Sequence, residues 1–124
     1  MCFFIYMRVA IPQWEGRVSP VFDVAGSLLL VNLEHGVEIA LRDVVMTDDI
    51  PAERARRMAA MGIHTLICGA VSRPLELALQ HSGIEVISQI CGDVNQVLYA
   101  YKNGRIGQPM FFMPGCRGYQ GRFR

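Results

Sequence analysis

No stretch of this 124-residue sequence stays apolar for the ~20 residues that a bilayer-crossing helix needs. The opening Met1-Cys2-Phe3-Phe4-Ile5-Tyr6 is apolar, but no basic segment precedes it and Arg8 follows at once. A secretory leader has the reverse order and a longer apolar core. The expected location is therefore the cytoplasm, with no membrane partner and no disulfides. Compact chemical signatures are missing too: there is no Walker loop, Gly-x-Gly-x-x-Gly, His-x-x-x-His or Cys-x-x-Cys. His35, His64 and His81 stand at no motif spacing from a carboxylate or serine, so no triad is legible and no enzyme is expected. Acidic residues are absent from one end. Asp93 is the last of them, and Lys102, Arg105, Arg117, Arg122 and Arg124 follow. Residues 1–93 carry seven basic and eleven acidic groups. An acidic body with a basic tail suits an anionic ligand or tail-to-body self-association, while a net charge of +1 argues against nucleic acid.

What is present is a globular composition, 52% apolar and 19% charged, at a length that suits one domain. Phe3 to Ile11 reads as a buried strand that Pro12 stops, and Pro12 to Pro20 as a loop. Ser27 to Leu33 and Val37 to Met46 read as strands around a tight Glu34-His35-Gly36 turn, hence an antiparallel hairpin. Beyond Met46 the period changes. Asp48 and Asp49 precede Pro51, which suits a helix start, and Ala52, Ala55, Met58 and Ala59 recur at helical spacing up to Gly62. Arg54, Arg56 and Arg57 are expected on the solvated face of that helix. His64 to Cys68 reads as a strand, Pro74 to Ser82 as a helix closed by Gly83, and Ile84 to Ile90 as a strand. Asp93 caps a last helix whose inner face is Val94, Val97, Leu98 and Tyr101, and Gly104 ends it. Strand–helix–strand crossovers make parallel neighbours. The expected fold is α/β: a five-stranded mixed sheet of order 3-2-1-4-5, an antiparallel meander plus two parallel βα units, with helices packed on it. Residues 1–104 form the domain and residues 105–124 a basic tail rich in glycine and aromatics.

Open sheets with parallel strands bind ligands beyond the carboxyl ends of the strands, where connections diverge. Three segments are expected to meet there: Gln13 to Asp23, Cys68-Gly69-Ala70-Val71-Ser72, and Cys91-Gly92-Asp93. The last two each run strand, cysteine, glycine, helix. Glycine lets a ligand approach the backbone, and free amides at a helix start favour an anion. Cys68 and Cys91 are thus candidate ligands for a shared metal cluster, with Gly69 and Gly92 beside them. The competing reading is structural, because free cysteine is among the most buried residue types. Cys116, beside Arg117 in the tail, is a weaker metal candidate. Trp14 in the first loop reads as a lid, contact or packing residue.

Three stretches carry a resemblance. Met7-Arg8-Val9-Ala10-Ile11-Pro12 with Gly16-Arg17-Val18-Ser19-Pro20-Val21-Phe22 resembles the start of the dinitrogenase iron–molybdenum cofactor biosynthesis family. Gly62-Ile63 with Cys68-Gly69-Ala70, and Leu79-Gln80-His81-Ser82-Gly83-Ile84-Glu85-Val86, are similar to its later signatures, so the likeness covers most of residues 7–104. It implies a ribonuclease-H-like fold without that enzyme's carboxylates. It also implies a non-catalytic carrier or scaffold for iron–sulfur or iron–molybdenum cofactor precursors. Ligand-binding weight then falls on Arg17, Ser19, Phe22, Cys68 and Gly69, to which the strand-end argument adds Cys91 and Gly92. Cofactor-handling relatives have His-Phe-Gly where this chain has Val21-Phe22-Asp23, which implies a divergent member. Pro114-Gly115-Cys116-Arg117-Gly118 is similar to a short form of the family's tail. The family start matches Met7, which makes residues 1–6 an upstream extension. The alternative is a protein-interaction or self-association module, a homo-oligomer joined by the tail. A ribonuclease-like hydrolase ranks last, since the sequence offers no clustered carboxylates for two-metal chemistry.

Overall fold

A computed structural model describes residues 6–47, 50–104 and 106. The strand β1, Tyr6–Trp14, lies at the centre of the sheet. Its side chains alternate between faces: Val9 and Ile11 join one apolar cluster and Ala10 the other. The short β2, Arg17–Val18, folds back onto the end of β1 through Glu15-Gly16. β3, Ser27–Glu34, and β4, Val37–Val45, form an antiparallel hairpin around His35-Gly36. Both turns have positive φ at both central residues, 52° and 80° in the first and 53° and 81° in the second. That is type I′ geometry, whose twist matches the flanking strands, and glycine takes the second position without strain.

Pro12, expected to end the first strand, instead lies within it, opposite Leu28. The parallel partner strand pairs with β1 only at Val9 and Ala10, so on that side the missing amide costs no ladder bond. The Pro12 carbonyl accepts from the Ser19 amide at 2.8 Å. The remaining elements are α1 (Pro51–Ala60), β5 (Thr65–Ile67), α2 (Arg73–His81), β6 (Glu85–Ile87) and α3 (Val94–Lys102). Together they make one mixed sheet of six strands, not five. Its main path is β4-β3-β1-β5-β6, with β2 attached to β1. The β1–β3 and β3–β4 pairs are antiparallel, and β1–β5 and β5–β6 are parallel.

Helices cover both faces. On one side Val94, Val97, Leu98 and Ala100 of α3 pack with Val9, Ile11, Val31, Ile67 and Ile87. Ile106 is buried in the same cluster, so the core runs past Gly104. On the other side Ala55 and Met58 of α1 and Leu75 and Leu79 of α2 pack with Ala10, Leu28, Leu66 and Val86. Arg54 departs from expectation: only 3% of it is exposed. Its guanidinium donates to the carbonyls of Phe22 (3.3 Å) and Ala25 (3.0 Å) and lies 5.2 Å from the centre of the Phe22 ring. Position 54 falls on the inward stripe of α1, where the Ala25 carbonyl, the Phe22 carbonyl and the Phe22 ring face its guanidinium. Arg56 stays exposed.

The edge strand β4 is the least covered part of the sheet. Val37, Ile39, Leu41 and Val45 are 51–66% exposed. Its pairing with β3 shifts between Asn32 and Leu33, where Ile39 is passed over, a β-bulge. Among the described residues no helix is long and apolar enough to cross a membrane.

Candidate functional site

The carboxyl ends of β1, β5 and β6 lie together, and the segment from Gly16 to Phe22 is stitched across them by backbone hydrogen bonds. Val18 N–H donates to the Gly92 carbonyl and Val94 N–H to the Gly16 carbonyl, each at 2.9 Å. Phe22 N–H donates to the Ala70 carbonyl and Ala70 N–H to the Pro20 carbonyl, each at 2.8 Å. The structure thus brings together the three segments singled out in the sequence. Four inter-segment bonds in so short a stretch make the assembly a rigid corner rather than an open cleft.

The helix starts at this corner are supplied from within the chain. At α2 the Asp23 carboxylate accepts from the Ser72 amide (2.7 Å) and the Ser72 hydroxyl (2.5 Å), and Ser72 Oγ accepts from the Leu75 amide (3.4 Å). At α3 the Asp93 carboxylate accepts from the amides of Asn95 (2.9 Å) and Gln96 (3.2 Å). Two built-in carboxylates therefore take the positions that an anionic ligand would take at a helix N-terminus.

The residues expected to bind a cofactor divide sharply. Ser19, Phe22, Cys68 and Gly69 are buried. Gly69 is there for space: a Cβ on it would sit 2.5 Å from the Pro20 carbonyl oxygen and 2.7 Å from that of Ser19. The Cys68 side chain joins the apolar cluster under α1 and α2 and presents no surface. Burial pushes its thiol well above the ordinary value, and the Glu76 and Asp23 carboxylates push the same way, so the sulfur is held protonated. Arg17 is exposed, while Cys91 and Gly92 are half-buried at the rim.

The two cysteine–glycine corners are not equivalent in register. Ile67 pairs with Ile87, which puts Ser88 next to Cys68. Gln89, at φ 63°, then inserts an extra residue, so that Ile90 N–H reaches the Cys68 carbonyl at 3.0 Å and Cys91 lies further along. Among the described residues no three of His, Cys, Asp and Glu gather as a metal-binding group. Cys116 lies outside the described residues, as does all of the basic tail except Ile106.

One feature was not anticipated from the sequence. The β1–β2 hairpin places Trp14 directly across from Arg17. Trp14 is 65% exposed, and with Arg17 it forms a platform beside Gly92 and Asp93, to which Arg17 is bridged. The signal was Glu15-Gly16, the same two-residue pattern as His35-Gly36, masked by the prolines on either side.

No family model matches the chain, and no curated protein matches it in sequence. Solved structures do share its fold. A protein from Methanocaldococcus jannaschii, provisionally named a dinitrogenase, superposes with a TM-score of 0.69 at 17% identity, covering 82% of this chain and 92% of that one. A Thermotoga protein provisionally named NifB, of the DUF35 family, gives 0.64 at 24% identity, covering 80% and 90%. The apo form of the orange protein from Desulfovibrio gigas gives 0.65 at 23% identity, covering 90% and 94%. At these identities the likeness establishes a common fold.

Proposed function

We propose that this chain is a non-catalytic carrier domain for an anionic metal cluster of the iron–sulfur or iron–molybdenum precursor type. It would then be a divergent member of the dinitrogenase iron–molybdenum cofactor biosynthesis family. Structural neighbours named for a dinitrogenase and for NifB support this reading, as does one solved in an apo form. The observation that carries it is the stitched strand-end corner, which brings Arg17, Cys91 and Gly92 to one rim beside Trp14. A cluster as cargo would meet the Arg17 guanidinium, the Trp14 ring and one thiol, Cys91. Cys68 as found is a packing residue, so cargo would be held by charge and a single sulfur rather than by a thiolate pair.

Anaerobic reconstitution with iron and sulfide tests the proposal. The expected product is a brown, oxygen-sensitive, iron-containing protein. Arg17→Glu and Cys91→Ser weaken loading, and Cys68→Ala leaves it intact. A colourless wild-type protein without bound iron overturns the reading.

A second reading, an interaction module that forms homo-oligomers, is favoured by the apolar surface of β4. Solution mass measured across a concentration series decides it: association that Leu41→Lys abolishes supports it, and a monomer throughout removes it.

A further inference from the structure

We propose a second binding site, for a small organic anion, in a groove on the uncovered half of the sheet. Arg8, Leu30, Asn32, Ala40, Leu41 and Arg42 line a groove of about 270 Å³. It lies near the start of β1, whereas the strand-end corner lies at the opposite end of that strand. The inference therefore stands independently of the carrier reading.

The register explains how the groove is built. Arg8 on β1, Asn32 on β3 and Ala40 on β4 are successive cross-strand partners, and the neighbouring row sets Leu30 beside Arg42. Both rows point to the face carrying α1 and α2, where Leu30 joins the apolar cluster. Those helices contact each other closely but leave β4 open, so Ala40 and Arg42 remain exposed.

The charged side chains that line the groove are of one sign. Two guanidinium groups line it, and among the described residues no acidic side chain does. Arg8 is held in place: its Nε donates to Asn32 Oδ1 at 2.8 Å, and an Nη donates to the Met61 carbonyl at the end of α1. Arg42 has no hydrogen bond or ion pair to any described residue, so its fork of donors is available. A fixed arginine with a free one beside it concentrates positive potential over the groove and matches the oxygens of a carboxylate or phosphoryl group. Leu30 and Ala40 add apolar wall, which suits a compact hydrocarbon body behind the anionic head. The volume is at the small end of ligand pockets, about one ring plus a headgroup.

The test is a titration of the full chain followed by amide NMR, with phenyl phosphate, benzoate and inorganic phosphate as separate probes. Saturable shifts are expected at Asn32, Ala40 and Arg42 with at least one of the two ring-bearing probes. Whichever of these binds more tightly identifies the headgroup as phosphoryl or carboxylate. Arg42→Gln should weaken that binding about tenfold, the value of roughly one charge-assisted contact, and Arg42→Lys less. Arg56→Gln, on the exposed face of α1, should change nothing. The proposal is overturned if no probe gives saturable shifts at these residues, or if Arg42→Gln binds as tightly as wild type. Inorganic phosphate binding as tightly as both ring-bearing probes also overturns it, since the apolar wall would then contribute nothing.

Discussion

Cys68-Gly69 and Cys91-Gly92 are the same dipeptide after neighbouring parallel strands, and the fold uses them in opposite ways. The first is closed. Its sulfur is enclosed among apolar side chains, and its glycine clears space for the Ser19 and Pro20 carbonyls. The second is at the rim, with a half-buried thiol and a glycine at φ 125° whose carbonyl receives the Val18 amide. One glycine is required by steric contact and the other by backbone conformation. One cysteine is a core residue and the other a candidate contact. A dipeptide acquires its role from the element that packs on it, here the segment from Gly16 to Phe22.

Replacing each glycine by alanine should separate the two corners most strongly. Gly69→Ala drives a methyl into two backbone oxygens that cannot rotate away, and should cost about 3 kcal/mol or more. Gly92→Ala meets an unfavourable φ and should cost about 1–2 kcal/mol. Urea unfolding midpoints measure both, and equal losses would erase the distinction.

The thiols separate next, by pH. The folded protein holds Cys68 protonated above its ordinary 9.0, so the unfolded chain releases that proton first. The resulting stabilisation is complete below pH 9.0 and is lost as pH rises past it. Relative to Cys68→Ala, wild type should lose ~2 kcal/mol by about pH 10.5. Half-buried at the rim, Cys91 should be alkylated in the native state, and the enclosed Cys68 only on unfolding. Native labelling of Cys68 at the rate of Cys91 would contradict the enclosed sulfur.

The smallest expected effect is at the platform. Trp14→Ala and Arg17→Gln change exposed side chains and should alter stability by less than ~0.5 kcal/mol. A much larger loss in thermal unfolding would make the hairpin a structural strut instead of a contact surface.

Much of the architecture was legible because it is written in local periods. The strand stretches of β3 and β4, the His35-Gly36 turn, the Asp93 cap and the glycines closing each helix are short-range signals that the fold keeps. What escaped the sequence was settled across longer distances. Pro12 fits within β1 because β5 is too short to need its amide. Arg54 turns inward onto the carbonyls of Phe22 and Ala25 and the Phe22 ring, partners distant in sequence. The strand-end segments were placed together correctly, yet the cysteines within them were not distinguishable. Cys68 follows β5 directly, whereas Cys91 comes four residues after the end of β6, beyond the irregular Gln89, and no periodicity announces that offset.

The skipped residue on β4 bears on how this molecule behaves in a crowd. A strand arriving at that border would find its alternation in step on one side of Ile39 and reversed on the other. Only a visitor that is short, or carries a matching dislocation of its own, can lie flat along the whole length. The border can therefore be greasy without seeding endless ribbons, since each added copy would inherit the mismatch instead of a clean template.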